Sequence, residues 1–252
     1  RQTLTFAGEV VDEKGNKINF NGPVIATLYD CEESIVTHGY GEKGKEYTFL
    51  DRNNKLAVKV DTVNQGSFSF KMTIPSEIVA TYDNFSPSLL NLYAYDNSSS
   101  NRNLFNGGSR EAMGSNSDFY IYGYDETVVA DTIGPEITYL GLNSENFKDG
   151  ENVNESPLVI ASMTDASGIN LSTSGIGHAI TLTLDENKVY NDVGSYFTPT
   201  LSNGSDTQSS GTVSYQLKDL GNGHHTLKLK VWDVFNNSSE KAVTFNVMRG
   251  LK

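Results

Sequence analysis

The chain has 252 residues, enough for two domains of ordinary size, and its 37% hydrophobic and 10% aromatic content is typical of a globular protein. It carries 31 acidic against 19 basic residues, a formal net charge of −12. Without clustered Lys and Arg, this charge argues against nucleic acid or an anionic membrane surface as a partner. No apolar run approaches the roughly 18 residues that span a bilayer, so direct membrane insertion is not expected.

Short stretches of alternating polar and apolar residues follow one another through the first half of the chain. The clearest covers residues 66–74, where Phe68, Phe70 and Met72 share one face and Pro75 ends the ladder. Residues 96–117 are so rich in Asn, Ser and Gly that we expect a long exposed loop there. Strands are predicted at residues 4–11, 24–29, 35–38, 47–50, 56–60, 66–74, 89–95 and 119–122.

A Gly134-Pro135 pair follows Asp131 and marks the boundary that we predict between two domains. Beyond it, about seven short strands within about a hundred residues are the pattern of an Ig-like sandwich. The fold prediction is therefore all-β, with two tandem β-sandwich domains at residues 1–130 and 131–252, the second Ig-like. The second set of strands is predicted at residues 137–142, 158–164, 179–185, 211–217, 225–233 and 242–247, with a short one near Tyr196.

Nucleophilic catalysis is not favoured by the residues present. Cys31 is the single cysteine, and Asp30 with the two following glutamates should raise its thiol pKa instead of lowering it. No serine lies in a G-x-S-x-G elbow. We predict no catalytic residue in this chain.

The histidines do not form a zinc pattern, because their spacing places no set of ligands together and two of them are adjacent on a strand. They are His38, His178, His224 and His225. Calcium is the more reasonable ion, since several oxygen donors lie near predicted strand ends, yet no EF-hand loop is present. These donors are Asp165, Asp185, Asp233 and Asn236. The prediction is no bound metal and no cofactor, with calcium as the alternative.

Residues 165–185 combine a turn at Asp165, a Gly175-Ile176-Gly177 loop and the lone His178 ahead of a strand. The combination invites an active-site interpretation. A structural role is favoured, in which His178 enters the strand and bonds to a loop carbonyl. Trp232 lies out of phase with its apolar neighbours, which predicts either a β-bulge or a half-exposed indole.

Exposed tyrosines offer a second kind of function, because β-sandwiches bind glycans through aromatic platforms. The same tyrosines could instead be cross-strand packing pairs. The candidates are Tyr82, Tyr93, Tyr95, Tyr120, Tyr122 and Tyr124.

An ordered series of motifs covers nearly the whole chain. In the second half it comprises D-T-I-G-P-E-I from Asp131, N-F-K-D-G from Asn146, S-P-L from Ser156, D-A-S-G-I-N from Asp165, G-I-G-H from Gly175, L-D from Leu184, G-T-V-S-Y from Gly211, L-G-N-G-H-H-T-L from Leu220 and W-D-V-F-N-N-S from Trp232. In the first half it comprises G-E-V-V-D from Gly8, F-N-G from Phe20, Y-D at Tyr29, G-S-F-S-F from Gly66 and I-P at Ile74. This series resembles the β-domains that accompany the peptidase domain in the PorU family of gingipain-like cysteine peptidases, the sortases of the type IX secretion system.

The resemblance implies a protein on the extracellular face of the outer membrane of a Gram-negative bacterium. Such sortases remove the C-terminal sorting domain of secreted cargo and join the new end to an anionic lipopolysaccharide, with an outer-membrane barrel protein of the PorV type as partner. The family's catalytic Cys and His lie in a peptidase domain upstream of the resemblance, so no catalytic residue carries over. We expect this chain to be part of a longer protein.

The resulting prediction is a non-catalytic β-sandwich region that positions the peptidase domain or contacts a partner or cargo. The alternative is an Ig-like adhesin or glycan-binding module of another bacterial surface protein. A mechanical spacer is a third possibility.

Overall fold

The computed structural model describes residues 2–39, 44–76, 78, 86–96, 110–123, 125, 127–172, 177–201 and 208–250. These residues form β-strands and one 3₁₀ turn at Val193–Tyr196, with no α-helix among them. The all-β prediction is therefore confirmed. Within the same residues, no helix is long and apolar enough to cross a membrane.

The first half of the chain builds a four-stranded antiparallel sheet in the order β5-β2-β7-β8, faced by the antiparallel pair β1 and β6. Alternation decides which side chains face inward: Leu28, Leu56 and Phe70 lie in the core between the sheets. The strands are β1 (Thr3–Glu9), β2 (Gly22–Tyr29), β3 (Glu33–Val36), β4 (Thr48–Asp51), β5 (Lys55–Val63), β6 (Ser67–Thr73), β7 (Leu89–Asp96) and β8 (Arg110–Asn116).

Strands β3 and β4, which lie between β2 and β5 in the chain, form a separate two-stranded ribbon. Its large apolar side chains remain about half exposed or more, including Val36, Phe49 and Leu50. A two-stranded ribbon is marginally stable alone, and this one is held at its base by the Asp30 amide, which donates to the Asn54 carbonyl at 3.0 Å.

The second half builds two sheets, in the orders β10-β17-β16-β12-β13 and β14-β15-β11-β9. Both sheets contribute to one core, in which Val159 and Val213 face Leu229 and Phe245. The strands are β9 (Glu136–Leu142), β10 (Asn152–Val153), β11 (Leu158–Asp165), β12 (Thr181–Leu184), β13 (Lys188–Tyr190), β14 (Phe197–Thr200), β15 (Ser209–Gln216), β16 (Gly223–Trp232) and β17 (Ser238–Val247). Two facing sheets around one core are a sandwich, while the Ig-like assignment and the division at residue 131 stay predictions.

One strand prediction was wrong. Residues 119–122 are not a strand, and β8 lies at Arg110–Asn116 inside the predicted loop. As an edge strand that pairs with β7 alone, β8 is exposed along most of its length and needs no apolar alternation. The remainder of the predicted loop, residues 97–109, lies outside the described residues.

Of the two predictions for Trp232, a β-bulge or a half-exposed indole, the structure shows the half-exposed indole. The pairing of β16 with β17 runs to Trp232 without a shift of register, so there is no bulge at this end of β16. The indole is half-buried, with Lys230 Nζ 4.6 Å and the His178 ring 4.5 Å from its ring centroid.

A buried ion pair fixes the end of the β7–β8 pairing. Arg110 Nη2 lies 2.6 Å from Asp96 Oδ2 and 2.6 Å from Asn19 O, and the guanidinium lies over the Phe20 ring. The Asp96 side chain is fully buried, and its Oδ2 also accepts the Asn21 amide. The pair therefore ties β7, β8 and the 19–21 segment together.

We predict that Asp96→Ala lowers the free energy of unfolding by about 3–5 kcal/mol, because it leaves the Arg110 guanidinium buried without its carboxylate. Urea unfolding of the chain measures this loss. The control is Glu240→Ala, which breaks the exposed ion pairs with Lys228 and Lys230 and should cost less than about 1 kcal/mol. Equal losses for both variants would contradict the structural role of the buried pair.

Candidate functional site

Three aspartates meet at one end of the second sandwich. One carboxylate oxygen from each of Asp131, Asp165 and Asp233 lies within 4.8 Å of the others. Asp165 ends β11, Asp233 follows β16, and Asp131 lies in the segment that leads into β9. We call these three residues the acidic cluster.

Each carboxylate of the acidic cluster organises a tight turn in its own segment. Asp165 Oδ1 accepts hydrogen bonds from the Ser167 amide, the Ser167 hydroxyl and the Gly168 amide, at 2.7 to 2.9 Å. Asp233 Oδ1 accepts the amides of Phe235 and Asn237. A short carboxylate that bonds amides two to four residues ahead replaces the ladder bonds that end with the strand, which explains why aspartate stands at these positions.

The turn around Asp233 also joins the acidic cluster to the preceding segment. Asn237 Nδ2 donates to Asp233 Oδ2 at 2.7 Å and to the carbonyl of Asp131 at 2.9 Å. Asp131 Oδ1 in turn accepts the Ile133 amide at 3.0 Å. The sequence analysis identified Asp131 only as the boundary between two domains. An aspartate that bonds the amide two residues ahead is, however, the same local turn signal as at Asp165.

Burial is the main influence on the acidic cluster. It raises the pKa of Asp165 and of Asp233, and the hydrogen bonds that each accepts offset only part of this effect. Repulsion from Asp233 raises the pKa of Asp165 further, and repulsion from Asp131 does the same for Asp233. The native state therefore holds protons here more tightly than the unfolded chain does.

A cavity of about 300 Å³ adjoins the acidic cluster, and Asp131 and Asp165 line it together with Glu136, Thr164 and Gln208. Carboxylate, hydroxyl and amide oxygens are the ligands that calcium takes. Of the four calcium candidates from the sequence, the structure brings Asp165 and Asp233 together. It places Asp185 elsewhere, in an ion pair with His225.

The histidines that the sequence analysis considered lie in different parts of the described structure. His178 packs against Trp232, His225 pairs with Asp185, and no group of three or more His, Cys, Asp or Glu containing a histidine is found among the described residues. Gly177 is exposed with a φ of 87°, whereas Gly175 and Ile176 lie outside the described residues.

Cys31 is almost fully buried at the end of β2. Burial raises the pKa of its thiol, and the Asp30 carboxylate adds to the rise. The direction agrees with the sequence prediction, and a thiol of this kind is poorly suited to act as a nucleophile.

The tyrosines do not form a single platform. Tyr93 and Tyr95 share the outer face of the first sheet with ring centroids 6.1 Å apart, beside an open groove of about 500 Å³. Tyr120 and Tyr122 line a different groove of about 180 Å³ next to Leu4. Tyr82 and Tyr124 lie outside the described residues.

A chain of buried polar groups connects the two halves of the molecule. Asn54 Nδ2 donates to Asp30 Oδ2 at 3.0 Å, while Asn54 Oδ1 accepts the Ser172 hydroxyl at 3.1 Å. All three residues are at least 98% buried. Sequence patterns gave no sign of this contact, because Asn54 and Ser172 are 118 positions apart and the three residues have no characteristic spacing.

A second set of contacts lies alongside this polar chain. Val60 of β5 forms a parallel bridge with Leu201, and the Lys59 ammonium donates to the Gln208 carbonyl at 3.1 Å. Val58 packs against the core of the second sandwich. The cavity between the two surfaces is only about 20 Å³, little more than one water molecule occupies.

No family model matches the chain, and no curated protein matches it. The chain is similar to the crystal structure of dimeric latent PorU from Porphyromonas gingivalis, with 30% sequence identity and a TM-score of 0.46. The similarity covers all of this chain and 22% of that chain, so this chain spans about a fifth of PorU.

We predict that Asp165→Asn stabilises the chain by about 1 kcal/mol near pH 8 and has no such effect near pH 4. The amide oxygen of asparagine can keep the three turn bonds, while the charge that repels Asp233 is removed. Because the pKa of Asp165 is raised, the native state is most favoured when this group is protonated, and that contribution is lost as the pH rises from the ordinary carboxyl range through the raised pKa.

Thermal melts at both pH values, with chelator and with calcium, measure this effect. Asp12→Asn is the control, because Asp12 makes a similar turn at an exposed site where hydrogen bonds from Asn16 lower its pKa. An Asp165→Asn chain that is no more stable than the wild type near pH 8 in chelator would contradict the repulsion argument. Stabilisation of the wild type by calcium that Asp165→Asn loses would identify a cation site.

Proposed function

We propose that this chain is a non-catalytic β-sandwich region of a PorU-like sortase, in which the two sandwiches act as one rigid element that positions a peptidase domain or a partner. The observation that carries the proposal is the buried chain Asp30–Asn54–Ser172 between the two halves. A flexible connector needs no such contact, because burying three polar groups costs free energy unless their bonding is complete. The bonded contact therefore supports a fixed position of one half relative to the other.

The motif series supports the family part of the proposal. Several of its elements are the turns that the structure builds: D-A-S-G around Asp165 and W-D-V-F-N-N around Asp233 both close on their own aspartate. The motifs thus specify the loops of one end of a sandwich, not a catalytic constellation. The cell-surface location, the PorV-type partner and the sorting of secreted cargo belong to the proposal through this resemblance.

The non-catalytic part rests on the chemistry of the candidate nucleophile. Cys31 is buried, its pKa is raised, and its backbone amide donates to the Asp30 carboxylate at 2.8 Å. A thiol beside a carboxylate is held in the neutral form, which is the reverse of what a cysteine peptidase needs. The proposal assigns peptide cleavage to another part of the longer protein.

We expect the 252-residue chain to bind a PorV-type barrel protein or a cargo sorting domain in a pull-down, and to leave a sorting-signal peptide uncleaved.

We further expect Asn54→Ala to lower the free energy of unfolding by about 1–3 kcal/mol and to split one unfolding transition into two, because Asp30 and Ser172 lose their common partner. Differential scanning calorimetry of the variant and the wild type measures the loss of stability and the number of unfolding transitions.

Asn91→Ala is the matched control, since Asn91 lies exposed on the outer face of β7. Cleavage of the peptide by the isolated chain would overturn the non-catalytic assignment. A single unchanged transition in Asn54→Ala would overturn the rigid element, and an absence of binding to either probe would return the chain to a spacer role.

A glycan-binding module is the second candidate function, favoured by the Tyr93–Tyr95 pair beside the open groove that Ile25 and Met113 also line. Met113 is 84% exposed, so this part of the sheet face offers apolar surface to a ligand.

If a glycan binds there, Tyr93→Ala should abolish the signal on a glycan array, because ring stacking supplies much of such binding. Tyr122→Ala, at the other groove, is the control and should leave that signal unchanged.

A further inference from the structure

His225 has an acceptor on both ring nitrogens. Its Nδ1 lies 2.7 Å from Asp185 Oδ2, in the turn between β12 and β13, and its Nε2 lies 2.9 Å from the carbonyl oxygen of Gly221, in the loop before β16. The ring is largely buried and stacks on Phe245 of β17 at a centroid distance of 5.5 Å. The imidazole thus connects two segments that the sheet itself does not pair.

A neutral imidazole carries one N–H and can satisfy only one of these acceptors. The imidazolium carries two and satisfies both. The arrangement of the two oxygens therefore selects the protonated ring. When the proton leaves, the carboxylate keeps the remaining N–H as the stronger acceptor, and an Nε2 lone pair is left facing the Gly221 oxygen.

The turn that His225 holds has a backbone that needs support. Asp185 and Glu186 both have positive φ, at 51° and 64°, a conformation that residues other than glycine seldom adopt. The Asp185 carboxylate fixes the turn by accepting the Thr226 amide at 3.0 Å in addition to the imidazole. Asp185 also donates its own amide to the Thr226 carbonyl.

We propose that His225 is a pH-sensitive clamp: as an imidazolium it ties the Asp185–Glu186 turn to the loop around Gly221, and loss of its proton releases that loop. The loop around Gly221 also contacts the end of the described chain. Arg249 Nε donates to the Leu220 carbonyl, and the Arg249 amide donates to Asn222 Oδ1. The clamp therefore links protonation to the contacts of the C-terminal residues.

The surrounding charges agree with this assignment. Burial lowers the pKa of His225, but the Gly221 carbonyl and the Asp185 carboxylate outweigh it, so the net pKa is raised. Asp185 shows the reverse balance: burial raises its pKa, while the Thr226 amide and the two histidines at 224 and 225 lower it. Phe245 brings no charge from β17, and Arg249 lies on the far side of the loop, bonded to Leu220.

The sign of the effect follows from the raised pKa. The clamp's contribution to stability is fully present below the ordinary histidine pKa of about 6.5 and is lost as the pH rises through the higher folded value. The change should be local, since the β16–β17 pairing does not depend on the ring.

NMR of the 252-residue chain, with labelled histidine rings and backbone amides, tests the proposal. We expect the His225 ring to titrate above the ordinary range with both nitrogens protonated below its midpoint. Protection of the Arg249 amide, which donates to Asn222 Oδ1 in this loop, against hydrogen exchange should fall by about tenfold through the same midpoint.

Two variants separate the clamp from general destabilisation. Asp185→Asn should move the His225 midpoint downward, and His225→Gln should abolish the pH dependence of protection at the Arg249 amide. His224→Gln is the control, because His224 is the exposed neighbour on the same strand, and it should retain the wild-type profile. A His225 ring that titrates at or below its ordinary value, or protection of the Arg249 amide that stays constant through its titration, would overturn the proposal.

Discussion

Buried carboxylates at the ends of strands are the constraint on which the rest of this structure depends. Asp30 follows β2, Asp96 ends β7, Asp165 ends β11 and Asp233 follows β16, and all four are at least 94% buried. A strand end leaves backbone amides without ladder partners, and a short carboxylate supplies acceptors for several of them at once. The solution carries a requirement, because each buried charge must remain fully bonded.

The four carboxylates meet this requirement with different hydrogen-bond and charge partners. Asp96 has a guanidinium partner, and Asp30 has the Asn54 amide and the Cys31 amide. Asp165 and Asp233 have only neutral donors and face one another and Asp131. Of the four, Asp96 is thus the one shown with a compensating positive charge, whereas negative charge is concentrated at Asp131, Asp165 and Asp233 at one end of the second sandwich.

Strands whose side chains alternate toward a core were predicted from the sequence, whereas β8, which lacks such alternation, was missed. Residues 66–74 were recognised because Phe70 and Met72 face a core, and β6 lies there. Strand β8 was missed because an edge strand exposed along most of its length has no reason to alternate. Alternation reports burial, so strands that pair without being buried give no periodic signal.

The same distinction applies to the candidate sites. The turn at Asp165 could be predicted because its acceptor and donors lie within three residues of each other. The partner of Asp165 at Asp131, and the contact of Asn54 with Ser172, are set by tertiary packing and have no local pattern. The pairing of His225 with Asp185, forty residues away, follows only from the adjacency of β12 and β16.

The His225–Asp185 pair shows how the same residue types give opposite behaviour when their partners differ. In the acidic cluster, a carboxylate surrounded by neutral donors and other carboxylates binds its proton more tightly on folding. At Asp185, a carboxylate beside an imidazole releases its proton more readily, and the imidazole keeps its own. The two ends of the second sandwich therefore respond to pH in different ranges, one set by carboxyl groups and the other by a histidine.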